Sequence, residues 1–195
     1  MAFFADTLKR NLESSIQAKR RMQDSPVQLA VFQQAVACVV EAYKKGGRLF
    51  IAGNGGSAAD AQHLAAEFVA KLARPRAPLP AEALTVDTST LTAIGNDFGF
   101  EELFARQLAG KAREHDVFLG LTTSGDSRNL VRAFQVCRER GIPSIAFSGR
   151  EGGAVKDWAD FCVVAPGEAT SEIQEVHMVL YHTLCGCVEA ELFPT

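Results

Sequence analysis

The sequence is short of several things, and each shortage closes a class of function. No apolar run approaches the ~18 residues that a membrane-spanning helix needs, so no segment reads as transmembrane. The opening residues, Met1-Ala-Phe-Phe-Ala-Asp6, turn polar too early for a signal peptide, which places the expected location in the cytoplasm. No Walker A loop and no G-x-G-x-x-G fingerprint occurs, so no nucleotide cofactor is expected. A basic surplus is missing as well. Twenty Lys and Arg stand against 23 Asp and Glu, a formal net charge of −3, without the footprint of a general nucleic-acid binder. The five cysteines (Cys38, Cys137, Cys162, Cys185, Cys187) are odd in number and lack zinc-type spacing. They read as reduced, mostly buried thiols, and Cys185 and Cys187 point to opposite sides of a helix.

What remains is an ordinary globular composition: 195 residues, 47% hydrophobic and 22% charged. One folded domain over residues 1–195 accounts for it. The chain opens with two helical patterns within residues 1–46. Leu8, Leu12, Ile16 and Lys19 recur at helical spacing in the first. Ser25-Pro26 starts the second, with Ser as N-cap and Pro at the first helical position; Leu29, Phe32, Val36, Val39, Val40 and Tyr43 then face inward. The first helix has little core to pack on within one small domain, so a partner subunit is expected to cover it.

After Gly47 the period changes. Apolar runs of four or five residues at Leu49–Ala52, Ala83–Val86, Val117–Leu121, Ser144–Phe147 and Phe161–Val164 suit strands buried on both faces. Helical patterns at Ser57–Leu72, Glu101–Arg113 and Ser127–Arg140 lie between them, and a last one runs from Ser171 to Leu192. Such alternation predicts an α/β fold, a five-stranded parallel sheet flanked by helices in three αβα layers.

Ligands of open parallel sheets bind beyond the carboxyl ends of the strands, and three loops there carry polar chemistry. Gly53-Asn54-Gly55-Gly56-Ser57 follows a strand and opens a helix. Its glycines let backbone approach a ligand, and the helix N-terminus offers free N–H groups to an anion. Thr122-Thr123-Ser124-Gly125-Asp126-Ser127 repeats the arrangement with four hydroxyls in six residues, a donor-rich cup for phosphate oxygens; Ser127 alone is equally an N-cap. The third stretch, Thr85 to Thr88 and on to Gly95-Asn96-Asp97, offers groups for sugar hydroxyls, although Asp87 and Asn96 also suit caps and turns.

Groups for proton transfer are sparse. His63 and Glu67, four apart, share one helix face, and the last helix carries Gln174, His177 and His182. Each alone has a plain reading as an exposed helical pair or a core histidine. Together at a phosphate pocket they supply a carboxylate base and an imidazole acid, the minimum for moving a proton between adjacent carbons.

The joined pattern Gly53-Asn-Gly-Gly-Ser57, His63-x-x-x-Glu67, Gly95-Asn-Asp97, Thr122-Thr-Ser-Gly-Asp-Ser127, Ile173-Gln-Glu175 and His182 resembles the phosphoheptose isomerases of the sugar isomerase (SIS) family, along essentially the whole chain. The resemblance implies a homotetramer with active sites between subunits. It implies conversion of sedoheptulose 7-phosphate to D-glycero-D-manno-heptose 7-phosphate, the entry of heptose into lipopolysaccharide core or related surface glycans. By position, Glu67 matches the family's base and His182 its acid. Asn54, Gly55, Gly56, Ser57, Asn96, Asp97, Thr122, Thr123, Ser124, Ser127 and Gln174 match substrate contacts, and His63, Glu67, Gln174 and His182 match a zinc site, one ion per subunit. Gln174 and His182 lie about 12 Å apart along one straight helix. Both reach one ion only if that helix starts later or neighbouring subunits contribute. The chain departs from the family at Thr122 (usually Ser), Asp126 (usually Asn or Lys) and Glu172 (usually basic), and two added carboxylates near a phosphate are expected to repel it modestly. Two other readings share the pattern: an isomerase of another ketose phosphate, and the family's replication-initiator-associating binding protein. The latter lacks the carboxylate and the late histidine, so Glu67 and His182 favour the enzyme.

Overall fold

The computed structural model describes residues 2–194. Five strands, β1 (Leu49–Gly53), β2 (Ala81–Ala83), β3 (Val117–Leu121), β4 (Ser144–Gly149) and β5 (Phe161–Ala165), form one parallel sheet in the order β2-β1-β3-β4-β5. Leu49 sits beside Ala81 on one side and Val117 on the other. The helices are α1 (Ala2–Gln23), α2 (Pro26–Lys44), α3 (Gly56–Val69), α4 (Thr88–Asp97), α5 (Leu103–Lys111), α6 (Arg128–Arg140) and α7 (Thr170–Leu192).

The pleat sorts the core into two layers. Side chains leave a strand alternately on opposite faces. Leu49, Ile51, Leu119 and Leu121 therefore pack with α2, α3 and α7, while Phe50, Ala52 and Phe118 pack with α5 and α6. Every residue of β1, β3 and β4 is buried, as in strands covered on both faces. This is the three-layer αβα arrangement read from the strand runs. The strand order reverses at β1: the chain steps out to β2, then crosses back to β3. The loops after β1 and β3 thus lie at the switch point, where ligands of such sheets bind.

Three local expectations fail for physical reasons. The second strand lies at Ala81–Ala83, two residues early, because it is a three-residue edge strand with only part of its surface covered. Residues 88–97, read as a polar connection, form α4; Asp87 caps it by accepting from the Thr90 N–H. No residue of α4 is buried, so no apolar period announces the helix. Finally, Leu29 of α2, expected inward, stays exposed; Leu8, Leu12 and Ile16 of α1 are exposed as well, the stripe expected to be left for a partner subunit. The helix docks instead through Ser15, Ala18 and Met22, its hydroxyls and Lys19 engaging Glu172 and Glu175 of α7.

The reading of mostly buried thiols holds in part: Cys137 and Cys185 are buried, and Cys38 and Cys162 are only partly covered. Burial pushes Cys137 and Cys185 up to about 12, and Cys187 is exposed while Cys185 is not. No helix among the described residues is long and apolar enough to cross a membrane.

Candidate active site

Three helix N-termini meet at the carboxyl end of the sheet. α3 begins at Gly56, α6 follows Ser127, and α7 begins at Thr170. Between them lies a small cavity of about 210 Å³ whose lining includes Asn54, Ser57, Thr122, Ser124, Thr170 and Gln174. Gly56, Thr123 and Ser127 complete the polar wall. No cation lines it; the positive ends of three helices and their free N–H groups supply the attraction for an anion.

Local packing makes the cup. Gly53 is required because a Cβ there would come within 2.5 Å of the Ser57 carbonyl oxygen. Gly125 has φ +77° and lies against the Gly152 carbonyl, a conformation and a contact that side-chain-bearing residues rarely accept. The Thr122 hydroxyl accepts from the Gly125 N–H at 3.1 Å, and the Ser124 hydroxyl from the Asp126 N–H at 3.1 Å. An oxygen occupied by a backbone donor keeps its own O–H free to donate, so the loop presents hydroxyl hydrogens to the cavity. Ser127 stands at the N-cap position without capping; its Oγ lies 3.4 Å from that of Thr122. Ser127 is thus the N-cap by position, as the plain reading has it, while its hydroxyl stays with the cup. Asn54 and Asn129 exchange two amide hydrogen bonds of 2.9 Å, tying the first loop to the second. Thr170, which lines the cup, and the buried Asn129, which holds Asn54, are residues that the sequence motifs did not mark.

The proton-transfer candidates converge further along the same helix pair. α3 and α7 run parallel: Gly56 faces Gln174, His63 faces Tyr181, and Leu72 donates to Glu189. That register brings His63, Glu67 and His182 together, with one donor atom from each within 4.8 Å of the others. His63 Nε2 lies 3.1 Å from Glu67 Oε1, and the two imidazole centroids are 5.1 Å apart. His63 is exposed while Glu67 and His182 are half-buried. Arg76 holds the end of α3 in place. It donates to the Glu67 and Phe68 carbonyls and pairs with Glu189 in an ion pair of which only 1% of either side chain is exposed. Beside the cluster, burial raises the Asp60 carboxyl, opposed by the Tyr181 hydroxyl.

The chain that carries this cup and cluster is similar to known proteins along most of its length. The SIS domain profile matches residues 14–149. The chain belongs to the SIS domain family. The phosphoheptose isomerase of Aneurinibacillus thermoaerophilus is 43% identical over 96% of this chain and 95% of that protein, and that of Clostridium acetobutylicum is 44% identical over 95% of each. In structure, the phosphoheptose isomerase of Neisseria gonorrhoeae superposes with a TM-score of 0.89 at 36% identity, covering 96% of this chain and 99% of the other. Like these SIS relatives, the chain is an enzyme and an isomerase.

Within one SIS chain the expected residues divide into three groups. Asn54, Gly56, Ser57, Thr122, Thr123, Ser124, Ser127 and Gln174 line the cup, and the exposed Gly55 stands at its rim in the same loop. His63, Glu67 and His182 form the cluster. Asn96 and Asp97 belong to neither. They are exposed at the last turn of α4, where Asn96 donates to Asp97 and Asp97 flanks a separate concavity with Phe98 and Arg106. α7 starts at Thr170, one residue before the expected start, and Gln174 stands two turns from His182 with its amide against Gly56, where it lines the cup. The two added carboxylates are engaged elsewhere. Asp126 accepts from the Ala154 N–H, and Glu172 accepts from the Glu168 N–H and the Ser14 hydroxyl.

Proposed function

We propose that the protein is an aldose–ketose isomerase acting on a long-chain ketose phosphate, sedoheptulose 7-phosphate, to give D-glycero-D-manno-heptose 7-phosphate. One observation carries the reading: a neutral, donor-lined anion cup and a carboxylate–imidazole cluster lie along one helix pair. The separation of Gln174 from His182, about 12 Å along α7, suits an opened seven-carbon chain with its phosphate in the cup and C1 and C2 at the cluster. The names of the relatives, phosphoheptose isomerases, support the same substrate class.

The chemistry follows from the groups present. Cup hydroxyls and helix N–H groups hold the terminal phosphate and fix the sugar chain. Glu67 takes the proton from C1 of the ketose while His182 donates to the oxygen at C2, giving a cis-enediol. Glu67 then returns a proton to C2, and the C1 hydroxyl gives its own to His182, which leaves the aldehyde and restores the acid. Acid–base assistance of this kind contributes about 10²–10⁴-fold; anchoring and electrostatic stabilisation account for the remainder. His63, Glu67 and His182 offer two nitrogens and a carboxylate oxygen with one side open to solvent, the donor set of a catalytic zinc site. One zinc ion held by His63, Glu67 and His182 would supply Lewis-acid polarisation of sugar oxygens.

Assembly as a homotetramer completes this reading. α4 has no buried residue, and Val86, Phe98, Phe100 and the Leu8–Leu12–Ile16 stripe are exposed. Covering them with neighbouring copies is the route by which Asn96 and Asp97 reach a substrate. The test is a panel of five-, six- and seven-carbon ketose phosphates with the purified protein. The seven-carbon substrate is expected to turn over best; preference for a five-carbon chain overturns the substrate assignment, and no turnover of any supports a passive binder.

A further inference from the structure

Tyr181 is completely buried on α7 between the two histidines of the cluster. Its ring stands edge-on to His182 at 4.6 Å and to His63 at 5.6 Å. Its hydroxyl lies 3.1 Å from His63 Nδ1 and 3.4 Å from Asp60 Oδ1. A phenol has one hydrogen to give and can also accept. An ionised Asp60 only accepts, so the phenol hydrogen goes to Asp60, and the phenol oxygen is left to accept from a hydrogen on His63 Nδ1. The other ring nitrogen, Nε2, is the one that faces Glu67.

We propose that Tyr181, seated on Asp60, is a positioning residue that keeps a proton on His63 Nδ1 and so reserves Nε2 as the nitrogen facing the Glu67–His182 cluster. The inference rests on the reading of that cluster as the reaction centre, and it extends the reading inward by two residues that no loop motif contains. It parallels a general rule: a metal-binding histidine donates its second N–H to an oxygen that fixes the tautomer and the ring orientation, and loss of that oxygen typically weakens metal binding 10- to 100-fold. Position 60 shares the face of His63 and Glu67 on α3 at three- and four-residue steps, and α7 brings Tyr181 over that face from 118 positions away.

Tyr181→Phe keeps the buried ring and removes only the hydroxyl. Two measurements decide. The first is the nitrogen-15 spectrum of the histidine side chains in the zinc-loaded protein, where Nε2 would face the ion and the 3.1 Å contact with Glu67 needs no proton between the two. His63 Nδ1 is expected at a protonated position in the parent and shifted away from it in Tyr181→Phe, with His182 unmoved. The second is zinc affinity by competition with a coloured chelator, expected to fall about 10- to 100-fold in the variant. An unprotonated Nδ1 in the parent, or a spectrum unchanged by the substitution, overturns the proposal. If the parent binds no zinc, the metal assignment of the cluster falls and the proposal with it, whereas an unprotonated Nδ1 in the zinc-loaded parent overturns the proposal alone.

Discussion

The cup and the cluster share α3 and α7 yet are made in opposite ways. The cup is built largely from backbone: glycine-permitted turns, three helix N-termini, and hydroxyls within a few residues of one another in the chain. The cluster is built from side chains of two helices, with Glu67 and His182 far apart in sequence and adjacent only because α3 and α7 pack in parallel. Backbone sites hold an anion through a fixed array of small dipoles, so each group removed weakens binding in part. A side-chain cluster concentrates its chemistry in single groups, and losing one stops a step. Binding and turnover should therefore separate cleanly under substitution.

The largest expected effect tests the cluster. Glu67→Gln keeps shape and removes the base, so kcat with sedoheptulose 7-phosphate should fall roughly 10²–10⁴-fold while KM changes little. Steady-state kinetics decides between the two parameters. A rise in KM with kcat intact makes Glu67 a binding group and erases the contrast.

A second prediction compares two histidines five residues apart on α7. His182 faces the cluster, whereas His177 is fully buried, its Nε2 2.9 Å from the Ser148 carbonyl and its Nδ1 without a partner. Ser148 in turn donates to Gly152, which packs on Gly125, so His177 lies beneath the cup. Burial pushes His177 down from 6.5 to about 4, against the opposing carbonyl. It is neutral in the fold, and the unfolded chain binds the extra proton between those values. Stability contributed by the neutral ring is thus full above pH 6.5 and is lost as pH falls toward 4, with a slope of up to about 1.4 kcal/mol per pH unit. Denaturant unfolding across that range should show the slope, and His177→Gln should flatten it. A variant with the parent's slope places the acid sensitivity elsewhere.

Ser57→Ala probes the cup with a smaller effect. Ser57 is nearly buried at the first turn of α3. A hydrogen bond to a charged group is worth about 1.5–3 kcal/mol, so KM and the inhibition constant of inorganic phosphate should both rise roughly 10- to 100-fold, with kcat held within a few-fold. A fall in kcat of the same size shows that the cup and the cluster act as one.

Legibility followed the same division. The cup could be read because its residues are contiguous and their glycines and hydroxyls have few other uses. Glu67 with His63 was visible as a pair, but its meeting with His182 came only through resemblance. Asn129 and Tyr181 were not legible at all, because their partners lie 75 and 118 positions away and nothing local distinguishes them from core residues. α4 escaped since a helix that buries nothing in its own chain has no apolar period. The apolar stripe of α1 was legible, but nothing in the pattern marked the small-residue face, with polar clasps to α7, that does the docking within the chain.

The smallest predicted effect bears on what sequence could suggest but only coordinates could place. By the resemblance alone Asp126 reads as an added carboxylate that repels phosphate, and Asp126→Asn would then tighten binding. In the fold its carboxylate accepts the Ala154 N–H at 2.9 Å, fastening the loop after β4 beneath the cup. An exposed charge turned away from the ligand and screened by solvent is worth little, and Asn keeps an oxygen for the same bond. KM for Asp126→Asn should therefore stay within about twofold of the parent at moderate salt. A clear drop in KM that vanishes as salt is raised would mean that the carboxylate reaches the phosphate, and the cup would then owe part of its selectivity to charge after all.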